Sequence, residues 1–370
     1  MRLRDALVRS LGPGSFAGVS LGTWFRILRD VGFSIDWPYW PRATVITVGA
    51  IPNTLVGWCE SCLYDRKIEA TLIEPPVFVL GAWRSGTTHL HNLLSLDDRF
   101  AFPNLYQVSF PSTFLVTERT NAWLMNLLLP ESRPQDNVKL GIAEPQEEEY
   151  AMSSICGRSV LLAMAFPRRA DVYANYLTLC GLTDEQLDEW KAGYVWFLKK
   201  LTFKHRRPLV LKSPGHTGRI RILLELFPEA KFVHIHRHPY DVHRSALHTQ
   251  HTASPWWRFQ RGGSDGGDEW LINRYRDTYA AFFAEQPLIP PGSFHEIAFT
   301  DLERDPIGEI QHVYQALDLP DFSHVEEKLR RYVGSLSDYR KNVLDPLPEI
   351  VRRRIASECP RCFEVWGYEA

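Results

Sequence analysis

Along most of this chain, short apolar runs alternate with stretches whose apolar residues recur every three or four positions. Val77-Phe78-Val79-Leu80 is an unbroken apolar run of strand length, introduced by Pro75-Pro76. After the glycine-bounded segment Gly81 to Thr88, Leu90, Leu93 and Leu94 keep helical spacing. The rhythm returns at Leu209-Val210-Leu211, followed by Ile220, Leu223, Leu224 and Phe227 on one helix face. It returns again at Phe232-Val233-His234-Ile235, followed by a helix from Tyr240 to His248, and Phe294 to Phe299 reads as a fourth strand. Strands with no polar alternation are buried on both faces, the condition of a parallel sheet covered by helices. The pattern predicts an α/β fold, with ligands held beyond the carboxyl ends of the strands.

Three regions depart from this rhythm. Residues 105–205, between the first two strands, read as a helical insertion suited to holding a substrate. Its best-marked helix opens with the capping box Thr183-Asp184-Glu185-Gln186 and continues in the stripe Leu187, Trp190, Tyr194, Phe197, Leu198 and Leu201. Residues 1–75 read as an N-terminal helical extension, leaving 76–370 as the α/β domain. Within the extension Leu21, Trp24, Phe25 and Leu28 form one apolar helix face. A basic amphipathic helix of this kind packs on the main domain or makes peripheral contact with a membrane, and both expectations stand. Thr252 to Asp268, with Trp256-Trp257 and four glycines, reads as a mobile loop or lid.

Composition narrows the function classes. With 370 residues, 45% hydrophobic and 23% charged, the chain has the make-up of a globular protein, not of a disordered or coiled-coil one. Lys and Arg number 42 against 44 Asp and Glu, so the basic surplus of a nucleic-acid-coating protein is absent and any anion site must be a local pocket. No charge-free stretch of ~18 apolar residues occurs; the longest candidate, Ala43 to Trp58, is interrupted by Pro52 and Asn53. The opening Met1-Arg2-Leu3-Arg4-Asp5 lacks the apolar centre of a signal peptide, and a cytoplasmic location is the expectation. The six cysteines read as reduced thiols. Cys59-x-x-Cys62 and Cys359-x-x-Cys362 have zinc-type spacing but helix-like surroundings. His234, His236, His238, His243, His248 and His251 come without a carboxylate cluster, so they read as lining a nucleotide cleft and not as metal ligands.

The loop Gly81-Ala82-Trp83-Arg84-Ser85-Gly86-Thr87-Thr88 has the spacing of a phosphate-binding turn between strand and helix, where backbone N–H groups and a helix N-terminus hold anionic oxygens. An ATP or GTP site of that type needs Lys directly after the second glycine. Here that position is Thr87, and the cation, Arg84, lies inside the loop. Arg237 follows the third strand and Ser245 lies two turns into the next helix; a guanidinium and a hydroxyl so placed can grip one phosphate from two sides.

These two motifs in this order, with Lys212-Ser213-Pro214 after the second strand, resemble the sulfotransferases that use 3′-phosphoadenosine 5′-phosphosulfate (PAPS). Phe299-Thr300-Asp301-Leu302-Glu303-Arg304-Asp305-Pro306 and the stretches at Tyr339-Arg340-Lys341-Asn342 and Trp366-Gly367-Tyr368 are similar to segments of that family, so the resemblance spans roughly residues 75–370. It implies a P-loop-like three-layer fold with a central parallel sheet. It implies a 5′-phosphosulfate loop at Arg84, Ser85, Gly86, Thr87 and Thr88, and a 3′-phosphate pair at Arg237 and Ser245. Arg340 or Lys341 would close over that phosphate, and Lys212 would act in catalysis. Many relatives carry Lys where this chain has Arg84, so the cation is kept in a planar form.

The resemblance implies PAPS as co-substrate without a metal, and a small-molecule, lipid or carbohydrate acceptor with a hydroxyl or amine. The base is less directly marked. Some relatives use His just after the second-strand Lys, others Glu after the first helix; here His216 falls two residues later, and Pro103-Asn104-Leu105 offers no carboxylate. The acids of Glu144 to Glu149 read as a solvated helix start, one of which could turn inward as base. His216 and Glu147 are therefore the two candidates. Two other function classes stay open on sequence alone, a kinase-type phosphotransferase and a nucleotide-binding module without catalysis, and oligomeric state is open too.

Overall fold

The computed structural model describes residues 12, 14–128, 141–253, 256–262, 267–336, 342 and 344–370. The chain divides into two compact units. One is built from residues 1–73, 103–206 and 249–266, the other from 74–102, 207–248 and 267–370.

The second unit holds the sheet. Its strands are β1 (Val77–Leu80), β2 (Val210–Lys212), β3 (Lys231–His236) and β4 (Phe294–Ala298). All pairings are parallel, in the order β2-β1-β3-β4, with Phe78 opposite Leu211 and Phe232. The predicted strands are thus present, each shifted by a residue at most, and the fold is α/β. The apolar residues that alternate along these strands feed two layers. Val77, Val79, Val210, Val233, Ile235 and Ile297 pack with Leu90, Leu93 and Leu94 of the helix Thr87–Leu94 and with Ile310 and Val313 of Pro306–Ala316. On the other face Phe78 stacks on Phe232 at 5.6 Å and meets Phe227.

That second face also takes His234 and His236, which corrects their reading as cleft residues. Being two apart on β3, they share one face, and aromatic residues cover it. His234 stacks on Phe282 at 4.3 Å, and His236 on Trp366 at 4.8 Å with the rings 3° from parallel. His234 Nδ1 lies 2.7 Å from Glu296 Oε2, and His236 Nδ1 2.8 Å from the Tyr368 hydroxyl. Burial, reinforced by the neighbouring His234, pulls the His236 imidazole down to about 4, so it is neutral at ordinary pH and adds no positive charge.

The described part of the first unit is helical. Thr183 caps the helix Asp184–His205 through the expected reciprocal pair with Gln186, and Trp190, Tyr194, Phe197, Leu198 and Leu201 are buried. The helix Leu21–Asp30 forms as expected, but its buried face is Trp24, Ile27 and Leu28, while Phe25 is half-exposed. At 3.6 residues per turn Trp24 lies between Ile27 and Leu28 on the inner side, and Phe25 falls past the edge. The segment read as a lid is anchored where it is described. Phe259 is fully buried, stacks on Phe166 at 5.1 Å, and its N–H donates to the Ala165 carbonyl. The remainder of that reading falls on 254–255 and 263–266, outside the described residues. One helix that the pattern does not announce, Trp40–Glu69, runs for 30 residues with Pro52 inside it. No described helix is long and apolar enough to cross a membrane.

Candidate active site

Strand β1 ends at Leu80 and the chain turns through Gly81, Arg84 and Gly86 with φ of 143°, 75° and 105°. Two of these turns require glycine for space as well as for φ. A Cβ on Gly81 would lie 2.5 Å from the Ile235 carbonyl oxygen, and one on Gly86 2.3 Å from the Phe299 ring. Gly86 is the N-cap of Thr87–Leu94, so the loop delivers its backbone to the positive end of a helix dipole. Arg84 holds a left-handed φ that costs a non-glycine residue on the order of 1 kcal/mol. Backbone strain of this kind clusters at ligand-binding loops.

The surrounding chain fixes the loop from behind. The Gly81 N–H donates to Thr217 Oγ1 at 2.7 Å, the Ala82 N–H to the Tyr279 hydroxyl at 3.3 Å, and Ser85 Oγ to the Ala82 carbonyl at 2.8 Å. Tyr279 is buried, which raises its phenol well above the ordinary value and keeps it protonated. The sequence pattern gives no sign of Thr217 or Tyr279 in this role: each stabilises the loop from a distant element, and no local spacing records it. Trp83 leaves the loop toward Arg274, whose guanidinium lies 4.6 Å from the ring centroid. Trp83 and Arg274 line a pocket with His243 and Leu271.

The two sequence motifs come together here. Arg84 Nε donates to Ser245 Oγ at 2.9 Å, across 161 positions of sequence. Arg237 Nη1 reaches the Arg84 carbonyl at 3.4 Å, and its guanidinium sits over the Phe299 ring at 4.6 Å. Burial, with the Arg84 cation adding to it against Asp241 and Glu303, holds the Arg237 guanidinium below its ordinary value, yet a guanidinium stays charged at neutral pH. From the end of β2 comes the buried Lys212, whose Nζ donates to Thr88 Oγ1 at 3.4 Å. Three cations thus converge on one helix N-terminus. Such an array suits an anion of several oxygens, which can take charge-assisted hydrogen bonds from planar guanidinium forks and from an ammonium at once.

Of the other expected residues, Ser85 and Thr87 are buried within the loop. His216 is fully buried in the turn Pro214–Gly218, its ring edge-on to Phe78 at 5.4 Å. Glu147 belongs to the other unit and is half-buried. The expectation of a solvated acidic helix start there is corrected. Glu148 and Glu149 are buried, accepting from the Tyr194 hydroxyl at 3.2 Å and from Ser159 Oγ at 2.7 Å. Hydrogen-bond donors on a neighbouring helix, Tyr194, and on the connection before Leu161–Ala165, Ser159, offset the cost of that burial. Arg340 and Lys341 lie outside the described residues. Cys59 and Cys62 are exposed, Cys359 and Cys362 buried, and all are free thiols. Among the described residues, one group of potential metal donors comes within ligand reach, Asp97, Asp98 and His324; Arg99 already binds Asp97 and Lys328 binds Asp98.

A parallel sheet whose first strand runs through a glycine-bounded loop into a helix N-terminus, with Arg84, Lys212 and Arg237 following three of its strands, is the architecture of a group-transfer enzyme. The chain belongs to the sulfotransferase family, whose model matches residues 75–324. It is 34% identical over 328 residues, 88% of this chain and 84% of the relative, to the omega-hydroxy-beta-dihydromenaquinone-9 sulfotransferase Stf3 of Mycobacterium bovis and likewise to that of Mycobacterium tuberculosis. The sulfotransferase STF9 from Mycobacterium avium shares the fold with a TM-score of 0.71 at 16% identity, over 94% of this chain and 92% of that one. STF1 from Mycobacterium tuberculosis gives 0.67 at 19%, over 91% and 92%.

Proposed function

We propose that this protein transfers the sulfuryl group of PAPS to the hydroxyl of an apolar, lipid-type acceptor, releasing adenosine 3′,5′-bisphosphate. The observation that carries the reading is the convergence of Arg84, Arg237 and Ser245 at the N-terminus of Thr87–Leu94. A 3′-phosphorylated nucleotide bearing a second anionic group at its 5′ end offers two charges, for which this array supplies cations and the loop N–H donors. The lipid character of the acceptor is taken from the 34% identical relatives, whose names specify a hydroxylated menaquinone derivative.

The acceptor oxygen bonds to sulfur as the bond from sulfur to the bridging phosphate oxygen breaks, and the acceptor proton passes to a base. Positioning and charge stabilisation do most of such work. Arg84 and the loop N–H groups hold the sulfuryl and 5′-phosphate oxygens, Arg237 and Ser245 hold the 3′-phosphate, and Lys212 stabilises the charge developing on the leaving oxygen. The base is His216 or Glu147. Single replacement by Gln distinguishes them, because losing the base stops turnover while leaving nucleotide binding intact.

The test of the reading is nucleotide-dependent stabilisation. A ligand that binds only the folded state adds about 2.7 kcal/mol at a hundredfold excess over Kd. Adenosine 3′,5′-bisphosphate should raise the melting temperature of the wild type, and adenosine 5′-phosphosulfate should do so less. Arg237→Ala should reduce the first effect far more than the second. Equal losses for both ligands, or stabilisation by ATP and magnesium alone, would overturn the assignment.

A further inference from the structure

The long helix Trp40–Glu69 has its charges inside and its apolar residues outside. Between Pro41 and Leu63 the only charged residues are Arg42 and Glu60, and each is 2% exposed. Arg42 Nη1 donates to the Arg258 carbonyl at 2.8 Å, and Glu60 pairs with the equally buried Lys200. The outer side presents Val48, Ile51, Leu55, Trp58 and Leu63, with Leu55 at 62% and Trp58 at 69% exposure. At 1.5 Å per residue the charge-free outer face is about 34 Å long. A helix facing water shows the reverse pattern, and a contiguous apolar face of this length marks an interaction surface.

We propose that this face lies in the boundary between headgroups and acyl chains of an anionic phospholipid bilayer, with the helix parallel to the surface. Its inner side carries buried ionic groups, so the helix can lie on a membrane but not span it, in accord with the absence of a spanning helix among the described residues. Three observations favour a bilayer over a second protein chain. A helix seam between proteins takes its register from flanking charges, and here the flanks are uncharged residues such as Thr47, Asn53, Thr54 and Ser61. A fluid partner needs no register. Indole rings stand at the face and its approach, Trp37, Trp40 and Trp58, as at membrane interfaces.

The third observation is charge. The helix Phe114–Leu128, fastened to Glu60 by the Val116 N–H at 2.9 Å, leaves Trp123, Leu124 and Leu127 exposed. Arg119 is the one exposed charge among its described side chains; its acid, Glu118, is half-buried and bound by Lys204. Arg261 lies over the Trp37 ring. Cations beside interfacial tryptophans suit anionic headgroups. Mixed charge resumes only from Asp65, at the far end of the long helix.

Flotation with vesicles of equal phosphatidylcholine and phosphatidylglycerol, without nucleotide or acceptor, tests this directly. The wild type should rise with the vesicles. Ile51→Glu/Leu55→Glu/Trp58→Glu should lower the bound fraction at least tenfold at an unchanged melting temperature. A serine triple at the same positions gives the same reading should glutamate disturb folding. The proposal fails if the wild type stays at the bottom of the gradient, or if both triple variants float as it does. It fails equally if sedimentation shows a wild-type dimer that the substitutions split, since a second copy then covers the face. Membrane docking deepens the lipid-acceptor reading but is tested apart from it: the vesicles hold no acceptor, and sulfation confined to water-soluble alcohols would defeat that reading alone.

Discussion

At Arg84 what the loop needs to fold can be tested apart from what the proposed transfer asks of it. The residue's φ of 75° is one that glycine adopts freely, so Arg84→Gly relieves strain while removing the guanidinium that meets Ser245. Relief and the greater chain entropy of glycine, each about 1 kcal/mol, oppose one another. The variant should therefore melt within a few degrees of the wild type and lose at least tenfold in sulfotransfer. A melting temperature that falls sharply, with activity falling only in proportion, would make Arg84 a structural residue. At this scale the sequence was informative because the chemistry is local. Gly81, Gly86, Arg84 and Thr87 stand in one eight-residue word whose spacing carries its geometry. Thr217 and Tyr279 were not legible, since each supports the loop from a separate element and has an unremarkable neighbourhood of its own.

The long helix Trp40–Glu69 shows why whole elements escape pattern reading. Periodicity finds a helix by assuming that charges mark its wet side, and here Arg42 and Glu60 mark its dry side while Pro52 suggests a break. Strands β1 and β2 were legible for the opposite reason: fully buried, each grows from an apolar run that needs no assumption about direction, whereas β4 carries His295 and Glu296 and is mostly half-buried. The buried pair between Glu60 of that helix and Lys200 of Asp184–His205 gives a prediction at the same scale. Burial pulls the Lys200 ammonium down to about 8 against the pull of Glu60, so desolvation outweighs the pairing. Lys200→Met strands a buried carboxylate and should cost about 3–5 kcal/mol. Adding Glu60→Gln removes that charge, and the amide oxygen still accepts from Val116, so the double variant should recover most of the loss. Urea midpoints of the three proteins check this; a double variant no more stable than the single one would mean that the pair itself, and not the stranded charge, carries the stability.

For the molecule as a whole, the aromatic layer over β3 sets how stability responds to acid. His236 titrates near 4 when folded against an ordinary value of 6.5, so between those limits the unfolded chain binds more protons than the folded one. Stability must then rise with pH through that window, and is lost as pH falls from 6.5 toward 4. The contribution is at most about 3 kcal/mol, taking 1.36 kcal/mol per pH unit. Burial lowers His238 and His295 as well, so they add to the slope in the same sense. Asp36, held near 2 by its hydrogen bond from Arg168, acts mostly at lower pH. His236→Phe keeps a ring against Trp366 and gives up the contact with the Tyr368 hydroxyl. It should cost about 1 kcal/mol at pH 7 and flatten, without abolishing, the rise between pH 4 and 6.5. A denaturation series that shows the same slope in both proteins would mean that His236 becomes protonated in place, with the Trp366 stack opening to solvent before the sheet does.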